Sequence, residues 1–329
     1  MASVPYLPIL FLNLCFFLLA TSKALSSSSI ASQQTKFWSQ NVDSKMPKSI
    51  LSKLSPLSES ETEVLASLVS KRYFTSNPKF CTTANLACSD DTHVVKTLGF
   101  ISAGCPACIV HHKVSNPSFH FRPSDLKKGH KVILPDLTSQ LSNRAFLPSQ
   151  IGRNIPLSTS ELQRIFPIVF SDPQTKARID TSLRHCDTTT VNRETRSCLK
   201  TLEDMIQFSR KSLGQKHMIA LASENTKSLG NQVVTTQISK PYNTDKIVVC
   251  HEEFFPFATY YCHVLLSTQV YAVDMVNPIA GGIPTPLFAL CQMNTSSHVA
   301  FEPHETSPEG KEQLCQWITE MDIVWIGYD

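Results

Sequence analysis

The sequence predicts an α+β fold, with helices followed by a mainly antiparallel, β-rich domain stabilised by disulfides. Three observations carry this prediction. Helix-start signals and helical spacing of apolar residues appear before Gly214. After Gly214 the pattern changes to short runs dominated by Val, Ile, Tyr and Phe, separated by Pro or Asn-Pro breaks. Eleven cysteines are distributed along 329 residues. With 42% hydrophobic and 17% charged residues, the composition is that of a globular chain rather than a disordered one.

At the N-terminus, residues 9–20 are almost entirely apolar. Ser22-Lys23-Ala24 follows, with small residues at the two positions a signal peptidase reads. The run is shorter than the roughly 20 apolar residues needed to span a bilayer. Residues 1–24 therefore read as a signal peptide, and no later run is long and apolar enough to serve as a membrane anchor. Residues 25–118 read as an N-terminal segment with a variable linker, and residues 119–329 as the main domain. Residues 26–32, Ser-Ser-Ser-Ser-Ile-Ala-Ser, have no periodicity and are expected to be unstructured.

A helix is expected after Leu57-Ser58-Glu59-Ser60-Glu61, where acidic residues suit a helix N-terminus and Leu65, Leu68 and Val69 recur at helical spacing. Pro78 and the pair Cys81 and Cys88 close this segment and read as a local disulfide loop. Residues 89–118 lack strong periodicity. They contain Cys105-Pro106-Ala107-Cys108 followed by His111-His112. This is a structural disulfide, a redox dithiol or half of a zinc site. The redox reading needs a βαβ context that is not visible, and zinc needs further ligands.

Further on, Ser158-Thr159-Ser160-Glu161 is a capping-box sequence opening a helix over 162–166. A longer helix is predicted over 194–213, with Cys198, Leu202, Met205, Ile206 and Leu213 on one side and Gly214 as the stop. Cys186 and Cys198 flank its start and are candidate disulfide partners. Strands are predicted over 232–238, 246–251, 259–265, 268–275, 286–291 and 322–327, forming a closed or sandwiched sheet with the helices packed against it.

Net charge is only +3, with no basic stripe of the density a nucleic-acid partner requires. Cys15 leaves with the signal peptide, so ten cysteines remain: Cys81, Cys88, Cys105, Cys108, Cys186, Cys198, Cys250, Cys262, Cys291 and Cys315. An even number in an exported chain suggests five disulfides, whose connectivity spacing alone does not give. Asn294-Thr295-Ser296 is a glycosylation sequon. No Ser/His/Asp grouping, phosphate loop or paired carboxylates stand in a context that supports hydrolysis.

The most specific pattern is a ladder of cysteine pairs. Cys250-His251 is followed after ten residues by Cys262-His263, after twenty-seven by Cys291-Gln292, after twenty-two by Cys315-Gln316, and after eight more by Trp325. In a strand, neighbouring side chains point to opposite faces. One face can then carry sulfurs that bridge strands while the other gathers imidazoles. Phe254-Phe255-Pro256 suits a turn that would bring His251 and His263 together, and neutral imidazole is a ligand for copper and zinc. His251 and His263 are the candidate metal ligands.

This ladder resembles the signature of the BURP-domain family, in which each pair is Cys-His. Here glutamine replaces the third and fourth histidines, and the last interval runs short. His304 stands in the context of a further family histidine. Phe37-Trp38-Ser39-Gln40, Met46-Pro47-Lys48, Leu54-Ser55-Pro56-Leu57 and the stretch 80–88 are similar to the polygalacturonase non-catalytic β-subunit group. Residues 121–135, Glu203-Asp204-Met205-Ile206 and Tyr260-Tyr261-Cys262-His263 extend the likeness through the domain. The long array of short Phe- and Tyr-bearing repeats found in that group is absent, and residues 89–118 stand in its place.

The resemblance implies a secreted, non-catalytic protein of the plant cell wall or apoplast that associates with pectin or with a polygalacturonase-type enzyme. Ten of the eleven histidines lie beyond residue 100, and a free imidazole titrates near about 6.5, so acidic surroundings would make the domain more attractive to a polyanion. Some family members are copper-dependent cyclases that act on a core peptide within their own chain, which makes copper the implied cofactor. Gln292 and Gln316 oppose that alternative, as does the lack of a repeated core peptide; Trp38 stands alone. A structural role in stress or development is the third reading.

Overall fold

A computed structural model of the chain describes residues 29–71, 78–88, 119–187, 195–242, 244–292 and 314–329. The fold is α+β: two antiparallel sheets pack on each other, helices cover the five-stranded one, and four disulfides link the described cysteines. The helices are α1 (Ile30–Asn41), α2 (Lys48–Leu51), α3 (Glu59–Ser70), α4 (Pro78–Thr83), α5 (Ser149–Gly152), α6 (Thr159–Ile165), α7 (Pro173–Cys186) and α8 (Leu202–Leu213). The strands are β1 (His120–Phe121), β2 (Lys131–Ile133), β3 (Arg196–Leu199), β4 (His217–Leu221), β5 (Gln232–Ile238), β6 (Lys246–Glu252), β7 (Tyr260–Leu266), β8 (Thr268–Val276), β9 (Thr285–Gln292), β10 (Leu314–Trp317) and β11 (Asp322–Tyr328).

The six-stranded sheet has the order β1-β10-β9-β8-β5-β2, and the five-stranded sheet has the order β3-β7-β6-β11-β4. Ile247, Val249, Val324 and Ile326 of the five-stranded sheet pack with Val270 and Leu290 of the six-stranded sheet to form the core between them. The alternate residues Val248, Cys250, Cys262 and Trp325 face outward onto α8 and onto Trp38 of α1. A strand buried on both faces cannot alternate polar with apolar, which is why residues 247–250 of β6, Ile-Val-Val-Cys, form an unbroken apolar run. Ser267 alone, at φ +52°, turns the chain from β7 into β8 and from one sheet into the other.

The six predicted strands agree with β5–β9 and β11 to within a residue or two at each end. Two expectations are corrected. The helix expected over 194–213 is a strand followed by a helix: β3 pairs with the edge of β7, and α8 starts only after Thr201, whose hydroxyl accepts the Asp204 N–H at 3.1 Å. Glu194 itself lies outside the described residues. The polar lead is also ordered from Ser29, which caps α1 through the Ser32 N–H. Ile30, Gln34 and Trp38, spaced four apart, are buried beneath that helix. Tertiary burial stabilises a helix whose local sequence gives little periodic signal.

The other helix starts follow their sequence signals. Ser58 and Glu61 form the reciprocal capping box of α3. Ser158 caps α6, while the Glu161 carboxylate pairs with Arg164 at 2.7 Å rather than completing a box. Gly214, at φ +67°, ends α8 in the left-handed conformation that favours glycine. The signal-peptide region, Cys105, Cys108, Asn294 and His304 lie outside the described residues.

Candidate functional site

Cys250 and Cys262 are register partners on β6 and β7 and form a disulfide on the helix-facing side. Cys291 and Cys315 stand in the same relation on β9 and β10. The remaining described bridges are Cys81–Cys88 and Cys186–Cys198. Sulfur is thus committed to one face of each hairpin, and the residue after each cysteine turns to the other.

In the five-stranded sheet those residues are His251 and His263. They are diagonal across the β6–β7 register, His251 opposite Tyr261 and His263 opposite Val249. Diagonal neighbours on one face lie within reach of long or aromatic side chains. Their Nε2 atoms approach to 3.3 Å. Tyr261 stacks against both rings, with centroids 6.4 Å from His251 and 5.4 Å from His263. Both imidazoles are buried.

A residue not singled out in the sequence orders this pair. Asp322, at the start of β11 and opposite His251 in register, accepts the His251 Nδ1–H at 2.8 Å. Its second oxygen accepts the Thr319 N–H at 2.9 Å and hydroxyl at 2.7 Å. A carboxylate only accepts, so the proton of neutral His251 sits on Nδ1 and its Nε2 is a lone-pair acceptor. His263 then donates from its own Nε2. The aspartate fixes the tautomer of one ring, and that ring fixes the other.

In the six-stranded sheet the equivalent positions hold Gln292 and Gln316, opposite Leu314 and Leu290. Gln316 also faces His120 across the β1–β10 register and hydrogen-bonds its imidazole. Burial holds the His120 ring below its usual pKa, and the bond to Gln316 partly opposes that shift. Trp325 is fully buried on the helix-facing side of β11, its ring 5.5 Å from Trp38, and is a packing residue.

The donor set can be tested against the copper that the resemblance implies. Two nitrogens held about 2.0–2.1 Å from one tetrahedral ion would stand ~3.3–3.4 Å apart, which matches the two Nε2 atoms. The rest of the set does not follow. Amide side chains replace two imidazoles, and Asp322 is engaged by Thr319 and His251. Among the described residues no three His, Cys, Asp or Glu side chains are grouped to hold a metal. The described residues do not fit a four-imidazole copper centre. The disulfides also remove the thiol nucleophiles from Cys250 and Cys262.

Comparison with known proteins gives a family match and a set of plant relatives. A sequence profile of the BURP domain matches residues 119–327. The chain is 32% identical over 230 residues to the polygalacturonase non-catalytic subunit AroGP3 of Solanum lycopersicum, covering 67% of this chain and 36% of that protein. It is 31% identical over 226 residues to the polygalacturonase-1 non-catalytic subunit beta of the same species, covering 66% and 35%. BURP domain-containing protein 16 of Oryza sativa subsp. japonica is 28% identical over 311 residues, covering 88% of both chains. The matches to the tomato proteins thus span about a third of their length.

Proposed function

The chain belongs to the BURP-domain family, and from that premise we propose that it is a secreted, non-catalytic wall protein that associates with a polygalacturonase-type enzyme and its pectic substrate. One observation carries the reading. The disulfides of the cysteine ladder still join register partners, while two of the four residues behind them are glutamines. The scaffold is retained, and half of the imidazoles are not. A chain in that condition suits association better than turnover, in keeping with the non-catalytic subunits it resembles. The disulfides favour an oxidising compartment, and among the described residues no helix is long and apolar enough to cross a membrane.

The copper-dependent peptide cyclase is a second reading, favoured by the spacing of the two Nε2 atoms and opposed by Gln292 and Gln316. A binding role predicts co-elution with a polygalacturonase-type enzyme, whereas a cyclase role predicts a cross-link within the chain's own peptide. Gel filtration of the purified chain with such an enzyme, alongside mass spectrometry of the reduced chain, separates them. The expected result is co-elution with the enzyme and no loss of two hydrogens from any peptide of the chain. Separate elution at micromolar concentrations would overturn the enzyme-association half of the proposal.

A further inference from the structure

The segment 119–134 crosses the outer face of the six-stranded sheet, from β1 at one edge to β2 at the other. Beneath it lies a half-open cleft of about 410 Å³, within the range of small-ligand sites. Met275, Trp317 and, on the edge strand β1, Phe121 contribute sheet side chains to it. The Phe121 and Trp317 rings stack with centroids 4.4 Å apart and planes inclined by 24°, so the half-buried Phe121 is held against the buried Trp317 as an aromatic wall.

Two independent features distinguish this cleft from a packing gap. The first is Thr235, which lines the cleft on β5 opposite Met275. It is 1% exposed, and its hydroxyl has no hydrogen-bond partner. A buried hydroxyl left unsatisfied costs about 1–3 kcal/mol. Its backbone is held on both sides, by the Gly129 N–H to its carbonyl at 2.7 Å and by its N–H to the His130 carbonyl at 3.0 Å. The position is therefore rigid.

The second feature is charge. The crossing segment carries Arg122, Lys127, Lys128 and Lys131 against a single acid, Asp125. One Asp125 oxygen accepts the Arg122 N–H at 3.0 Å within its own turn. Lys127, Lys128 and Lys131 are exposed, and Lys131 lines the cleft. In the lining itself Lys131 stands with Asp125, and the exposed Lys127 and Lys128 on the same segment add positive charge beside the cleft.

We propose that this cleft binds uronate residues of an acidic oligosaccharide, resting on the pectin half of the function proposed above. The carboxylate pairs with Lys131, the C–H face of the sugar lies on the aromatic wall, and a ring hydroxyl meets the Thr235 hydroxyl. An acidic peptide would satisfy the charge, but it has no equivalent use for an apolar wall next to a hydroxyl.

The test is calorimetric titration of the full disulfide-bonded chain with tetragalacturonate, its fully methyl-esterified form, and hexaglutamate. Tetragalacturonate is expected to bind at least tenfold more tightly than either of the others. Lys131→Glu should weaken it tenfold or more. Thr235→Val should weaken it about threefold without lowering the melting temperature, because it removes an unsatisfied hydroxyl. Binding by wild type that both variants retain would overturn the cleft assignment and leave pectin association standing. No binding by wild type would overturn the cleft and the pectin half together, while co-elution with the enzyme tests the other half separately. Equal binding of hexaglutamate would also overturn the uronate assignment.

Discussion

Asp322 holds the imidazole pair together. It is buried and accepts from His251, the Thr319 backbone and the Thr319 hydroxyl. Asp322→Ala strands those donors and should lower stability by about 2–4 kcal/mol, whereas Asp322→Asn retains part of the network and should cost less. Urea unfolding at neutral pH checks both; an Ala variant as stable as wild type would show that the network carries no weight. The two histidines were legible in the sequence because strand alternation places the residue after each bridging cysteine on one face. Asp322 was not, because its partner lies 71 residues away and a lone aspartate opening an apolar run gives no sign of what it will meet. Thr235 was equally silent, since a threonine in a strand is ordinary until its hydroxyl is found without a partner.

At the scale of elements, the junction of β3 and α8 decides how the outer face of the five-stranded sheet is covered. Thr201 is fully buried and caps α8, and a Cβ added at Gly152 would stand 2.7 Å from its Cγ2. Loss of the cap in Thr201→Ala should cost about 1–2 kcal/mol, and Thr201→Ser should recover most of it. Thermal unfolding of the two variants checks this, and equal destabilisation by both would assign the effect to packing instead of capping. Local sequence favours a helix back to residue 194 because Cys198 falls in phase with Leu202 and Met205. Pairing with β7 and the bridge to Cys186 override that local phase. The long strands were legible from their β-branched and aromatic runs. Short β1, β2 and β10 owe their pairing to neighbours distant in sequence, so local composition did not reveal them. Helix α7 gives a weak periodic signal although Asp172, Pro173 and the basic pair Arg184-His185 mark its ends; its exposed face dilutes the apolar spacing.

For the whole molecule, the N-terminal helices are part of the same packed body as the sheets. Trp38 meets Trp325, and Lys53 reaches the buried Glu252 carboxylate at 3.2 Å, with Arg144 at 3.5 Å on its other oxygen. Removing one member of such a buried group leaves the others uncompensated, so the segment that precedes the family domain is anchored by charge as well as by apolar contact. Motif likeness identified that segment, but gave no sign of where it docks. Across the two sheets, the cysteine ladder is intact, while one hairpin presents imidazoles and the other amides. The proposed function has this scaffold serving association, with half of its histidine positions given up to glutamine. The most direct test is the copper content of the purified, disulfide-bonded protein after incubation with excess copper and removal of free metal. The expected result is well below one copper per chain. One copper per chain that disappears in His251→Ala or His263→Ala would contradict the claim and restore the enzymatic reading.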